Sequence, residues 1–326
     1  MDIALALGTG VLLALVGPDG RVETVTGTVA ASELGRVLTH EHVLVDFVGA
    51  DQVSPERYDA GEAFAAMLPH LVDLKAAGID TLVECTPEWL GRDPALLRRL
   101  SEASGVLLIT NTGFYRDPYL PHWAHEATAE ELAALWIEEA RGGIGGTGIK
   151  PGFIKIAVNE GELSEVQAKI VRAAALTSRA TGLRIHSHTT TAATALEQLD
   201  ILAEVGLPGS RLVVVHADAT PDLDLHGRLA ARGAWLSYDG IRAENAEAKV
   251  ELVCDALARW PDQLLISQDA GWYQVGEPSG GQVTPWSWLP REFPPLLRVA
   301  GVTEEQVEGL LIANPARLLA IQPPEG

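Results

Sequence analysis

The residues of this chain best suited to chemistry are spaced in a regular way. Histidines alternate in His40-Glu41-His42 and again in His186-Ser187-His188. A further histidine, His216, closes the apolar run Leu212–Val215, and Asp269 follows the apolar run Leu264–Ile266. On an extended strand, residues two apart point to the same face. Each His-x-His pair therefore aims both imidazoles one way. Imidazole and carboxylate together suit Zn²⁺, Mn²⁺, Co²⁺ or Fe²⁺, all of which accept N and O ligands. A lone buried histidine is ordinarily a hydrogen-bonded core residue. Four such positions, each at the end of an apolar run, ask for a common explanation.

Lys155 sharpens the question. Only five residues are lysine, and this one lies inside Phe153-Ile154-Lys155-Ile156-Ala157. Phe153, Lys155 and Ala157 share one face of that strand. Burying an ammonium there costs several kcal/mol unless it is paired, on the order of the penalty for any buried ion. Desolvation favours the neutral amine. A neutral amine can add CO₂ to form a carbamate, a carboxylate-like group able to bridge two cations. The plainer alternative is an ion pair with a buried acid such as Glu84.

The elements that must position these groups alternate. Strands are predicted at 36–40, 81–85, 106–111, 153–158, 183–186, 212–216, 234–238 and 264–267. Helical patterns lie between them at 60–77, 94–104, 129–141, 164–180, 192–205, 221–231 and 244–259, with a further helical set at the C-terminus. Asp93-Pro94 and Asn314-Pro315 supply a cap and a first-turn proline. Alternation of this kind means parallel strands joined by crossovers. Eight units fit an α/β fold of the (β/α)₈ TIM-barrel type, whose sites lie at the C-terminal strand ends. A doubly wound sheet is the alternative, but no G-x-G-x-x-G follows the first strand. Residues 1–326 read as one domain, with an N-terminal β-hairpin over 1–30 and a long Gly-, Pro- and Trp-rich loop over 271–286. That hairpin is expected to turn at Gly17-Pro18-Asp19-Gly20 and to plug the core. No Lys or Arg precedes Arg21, which argues against a signal peptide.

Composition excludes several partners. The 44 acidic against 24 basic residues give a formal charge of −20, which disfavours nucleic acid and anionic membranes. Two cysteines, Cys85 and Cys254, make no disulfide framework, in keeping with a reducing, cytoplasmic setting. At 47% hydrophobic residues the chain can fill a core.

From about Val25 to the C-terminus the chain resembles the phosphotriesterase-like branch of the amidohydrolase superfamily, which includes the phosphotriesterase-like lactonases. The resemblance rests on Gly35-Arg36-Val37-Leu38-Thr39-His40-Glu41-His42, Phe153-Ile154-Lys155-Ile156-Ala157, His188-Thr189, Val215-His216-Ala217-Asp218 and Ser267-Gln268-Asp269. Gly91-Arg92-Asp93 and Thr112-Gly113-Phe114-Tyr115 add to it. It implies two divalent metal ions, Zn first with Mn, Co and Fe as alternatives. His40, His42 and Asp269 would hold the more buried ion and His188 and His216 the more exposed one. Carbamylated Lys155 and a hydroxide would bridge them, and Asp269 would take the proton of the attacking hydroxide. His186, one alternation deeper, reads as a supporting residue, with His186 in place of His188 as ligand the alternative. Asp239 reads likewise as support. The resemblance also implies a homodimer.

The chain departs from the organophosphate hydrolases of that family. Those carry an acid three residues after the sixth-strand histidine and a histidine directly after the seventh-strand aspartate. Here the positions hold Ala219 and Gly240. Tyr115, by contrast, matches a tyrosine that lactonase members place beside the metals. Its alternative is packing on Trp123 or Trp272. Arg242 and Trp272 are expected to contact substrate, Arg242 with a solvated rim position as its alternative. The expected function is therefore a lactonase or esterase acting on a small-molecule substrate. Phosphotriester hydrolysis and a phospho-sugar lactonase, which would recruit Arg116 and Arg242, are the enzyme alternatives. A metal- or ligand-binding protein without turnover is the non-enzyme one.

Overall fold

The computed structural model describes residues 20–325. Twelve strands follow in chain order: β1 (Arg21–Thr24), β2 (Gly27–Ala30), β3 (Val37–Val45), β4 (Thr81–Glu84), β5 (Leu107–Ile109), β6 (Asn111–Thr112), β7 (Phe153–Ala157), β8 (Ile185–His188), β9 (Leu212–Val215), β10 (Trp235–Tyr238), β11 (Leu264–Ile266) and β12 (Gly271–Gln274). One sheet has the order β12-β3-β4-β5 and another β11-β10-β9-β8-β7-β6, with every pair in both parallel. β5 and β6 are one barrel strand interrupted at Thr110. β11 and β12 are likewise one strand interrupted at residues 267–270. With those two joins the ring closes as an eight-stranded α/β barrel, as expected.

The differences from expectation have physical causes. The stretch 271–286 is not loop throughout. Its first four residues form β12, which pairs with β3 through Gly271–His42 and Gln274–Val45. Gly271 has φ +98°, and a Cβ there would run into the His42 carbonyl, so only glycine admits this close approach. The first barrel strand runs on to Val45, all nine residues buried, because parallel strands are covered on both faces. The expected turn at Gly17–Gly20 lies outside the described residues except for Gly20. Its second strand pairs with β2 across a turn at 25–26. Val22 packs with Val37, Val83, Ile109 and Phe153, so the β1–β2 hairpin, a different one from that expected, plugs the barrel floor.

Helices occupy the expected places, among them α1 (Ala60–Ala76), α2 (Pro94–Ser104), α4 (Ala129–Gly142) and α5 (Glu165–Thr181), and a short α3 (His122–Glu126) stands where none was expected. Asp93 caps α2 by accepting the N–H groups of Ala95 and Leu96. Asn314 is no cap. Its backbone is helical, and its amide donates to the carbonyls of Pro261 and Leu264, tying the last helix to β11.

Candidate metal centre

The strand ends converge as the alternation requires. His40 and His42 lie on β3, Lys155 on β7 and His188 at the end of β8. His216 follows β9 and Asp269 follows β11. Asp269 Oδ1 stands 3.2 Å from His42 Nε2 and 3.5 Å from His40 Nε2. One ligand atom from each of these three residues lies within 4.8 Å of the others. On the opposite side His188 Nδ1 and His216 Nε2 are 2.8 Å apart. The His40 and His216 rings, 5.1 Å between centroids, join the two halves.

Two of these residues have unusual backbones. His216 has φ +61° and Asp269 φ +51°. Such left-handed conformations are uncommon for residues with side chains and persist where surrounding bonds impose them. Asp239 imposes one of them. Its carboxylate accepts the His216 N–H at 3.2 Å and lies 2.5 Å from His216 Nδ1. Ser237 donates to the same carboxylate, and His40 Nδ1 is 3.6 Å away. Asp239 thus bonds His216 in one half and lies 3.6 Å from His40 in the other. Burial works against a charged His216, but Asp239 outweighs it and raises the imidazole above its usual value.

Lys155 is 1% exposed, and its Nζ has no hydrogen-bond partner among the described residues. The ion pair with Glu84 is not formed. The Glu84 carboxylate instead accepts the N–H groups of Val43 and Thr86. Gly113, at φ +111°, lies so close over the Lys155 carbonyl that any Cβ would strike it. His188 joins His216, whereas His186 stays deeper, registered beside Lys155 and 4.4 Å from the Phe153 ring. Burial, followed by the charge of Lys155, pushes His40 and His186 well down, so both are neutral. Asp269 goes the other way. Burial alone would raise it, but the His42 bond and neighbouring positive groups hold it below the usual carboxylate range.

The mouth is aromatic. Trp272 stacks on His42 at 4.2 Å and on Phe47 at 5.9 Å, and its Nε1 donates to the Asp269 carbonyl. Tyr119 meets Phe47 and Tyr115. The Tyr115 hydroxyl is 3.2 Å from His188 Nδ1. Its ring neighbours are Tyr119 and His188, while Trp123 packs on Phe114. Burial drives the Tyr115 phenol up to about 12, so it stays protonated. Arg242 turns inward, donating to the carbonyls of Gln268 and Asp269. Sequence reasoning passed over Glu41, Ser267 and Thr86, the last pairing with His42 Nδ1 at 2.8 Å. A charged side chain inside an apolar strand was the signal for Glu41, as it was for Lys155.

A parallel eight-stranded barrel with histidines, an aspartate and a bare buried lysine at its C-terminal rim defines a hydrolase-type barrel. The profile of the Phosphotriesterase family matches residues 20–319. A "Phosphotriesterase homology protein" of Mycobacterium tuberculosis is 29% identical, covering 92% of this chain and 98% of its own. An "Aryldialkylphosphatase" of Saccharolobus solfataricus is 27% identical over 94% and 99%. Among solved structures, a mutant organophosphorus hydrolase from Deinococcus radiodurans superimposes with TM-score 0.84 at 31% identity, covering 94% and 99%. The chain belongs to the phosphotriesterase family and is a hydrolase of ester bonds. Among the described residues, no helix is long and apolar enough to cross a membrane.

Proposed function

We propose that the chain is a lactonase or esterase with a two-metal centre. The observation that carries this reading is the Tyr115 hydroxyl, 3.2 Å from His188 Nδ1 at the mouth of the site. The donor set fits two divalent ions, Zn²⁺ foremost: His40, His42 and Asp269 for one, His188 and His216 for the other. Lys155 would bridge them as a carbamate. Its Nζ is buried without a hydrogen-bond partner among the described residues, as a group awaiting a ligand would be. Such ions, when bound, supply an acidified water and polarise a carbonyl.

The protein's own residues do the rest. Asp269, a carboxylate at neutral pH, accepts the proton of the attacking water. The water oxygen bonds the acyl carbon, the acyl C–O bond breaks, and the departing alkoxide, held by a hydrogen bond from the Tyr115 hydroxyl, takes up the proton that Asp269 accepted. Asp239 keeps His216 oriented through these changes. Phe47, Tyr119 and Trp272 form an uncharged wall suited to a neutral substrate. Arg242 bonds backbone carbonyls and Arg116 is held by Asn159, so neither favours a phosphorylated lactone. Residues Ala219 and Gly240 leave no relay of the organophosphate-hydrolase kind.

The test is a substrate panel on protein of measured metal content. Opening of γ- or δ-lactones, with paraoxon-type triesters left intact, supports the reading. An "N-acetyltaurine hydrolase" of Homo sapiens is 27% identical, so N-acetyltaurine belongs in the panel. Amide cleavage without lactone opening would overturn the lactone assignment. Metal binding with no hydrolysis would indicate a binding protein.

A further inference from the structure

Glu41 separates His40 from His42, and strand alternation turns its side chain to the other face. It is fully buried. Among the described residues it makes no salt bridge, and its carboxylate is held only by hydrogen bonds. Oε1 accepts the Ser267 hydroxyl at 2.8 Å and the Gln268 N–H at 2.9 Å, and Oε2 accepts the Ala270 N–H at 2.7 Å. Ser267 Oγ in turn accepts the His40 N–H at 2.9 Å. The backbone adds two bonds, Asp269 N–H to the His40 carbonyl and His42 N–H to the Ala270 carbonyl.

The donors around Glu41 are those of residues 267–270, the interruption between β11 and β12. At its centre Asp269 holds φ +51°. A left-handed aspartate is strained and needs its surroundings to impose it. Desolvating a carboxylate without a cation is costly too, and hydrogen bonds from backbone N–H groups are the usual compensation. The two costs occur together at one place. The same carboxylate ties the segment carrying Asp269 to the strand carrying His40 and His42.

We infer that Glu41 is a positioning residue: its buried carboxylate fixes the 267–270 turn so that Asp269 meets His40 and His42. This rests on the two-metal reading above. Glu41 touches neither His188 nor His216, so its removal acts on one metal position and not the other. In Glu41→Gln the amide nitrogen must face an N–H or O–H donor, and the turn loses part of its hold.

The experiment titrates Co²⁺ into metal-free wild type, Glu41→Gln and Ser267→Ala, with thermal melting of each metal-free protein alongside. Wild type is expected to bind two ions. Glu41→Gln is expected to bind one as wild type does and the other ~10–100-fold more weakly, the range for lost supporting bonds. Ser267→Ala removes the hydroxyl that links Glu41 to His40 and is expected to weaken the same step less. It serves as the decisive variant if Glu41→Gln does not fold. Unchanged affinity at both positions overturns the inference. So does equal weakening of both in step with a lowered melting temperature, the mark of a general packing role. Wild type that binds no metal overturns the two-metal reading itself.

Discussion

Asp239 grips His216 at two points, ring and backbone, with one oxygen 2.5 Å from Nδ1 and the other accepting the N–H at 3.2 Å. The bond at Nδ1 leaves Nε2 as the atom that would meet a metal, and the bond to the backbone fixes the left-handed turn that aims it. Asp239→Asn keeps the shape but loses the charge. Metal affinity and kcat/KM are expected to fall together by ~10–100-fold. Equilibrium dialysis and lactone kinetics on the same preparation check this, and wild-type values in both would show the grip to be dispensable.

Lys155→Ala removes the buried amine that has no hydrogen-bond partner. Activity is expected to drop on the order of 10³-fold, the loss of several kcal/mol of transition-state stabilisation. Acetate or propionate added with metal should restore part of it by standing in for the carbamate. A fully active variant would remove the bridging role from Lys155.

Tyr115→Phe deletes one hydroxyl at the mouth. If that hydroxyl bonds the departing oxygen, kcat should fall ~10–100-fold while KM changes little, the effect of a hydrogen bond to a developing charge. Unchanged kcat would reduce Tyr115 to a packing residue against Tyr119.

The pH profile bears on the same group. Burial pushes Tyr115 up to about 12, so the donor form is complete below that value and is lost only as pH rises through it. Tyr115 is therefore expected to leave kcat flat between pH 8 and 10 on the scale of an ordinary phenol near ~10. A fall in that interval which Tyr115→Phe abolishes would contradict the assignment.

Much of the site was legible in the sequence because alternation and barrel topology act locally. His40, His42 and Lys155 occupy faces that strand geometry dictates, and the barrel brings their strand ends to one rim. Other features depend on contacts far apart in sequence. Glu41 meets Ser267 and Ala270 across more than half the chain, which no local pattern reports. Arg242 reads from sequence as a substrate contact because position says nothing of direction, and the carbonyls of Gln268 and Asp269 take its guanidinium. Only the pairing of Gly271 with His42 shows that strand eight resumes inside an apparent loop. Alternation sets His186 one step deeper than His188, and in the fold His188 Nδ1 lies 2.8 Å from His216 Nε2 while His186 stays beside Lys155.

The rim divides its labour unevenly. Asp239 and Glu41 hold His216 and the turn carrying Asp269 by hydrogen bonds, whereas Phe47, Tyr119 and Trp272 lean on one another. The reactive floor and the selective ceiling are thus separately supported. On the two-metal reading, exchange of the ceiling would redirect the enzyme to a new substrate while the floor keeps its donor set.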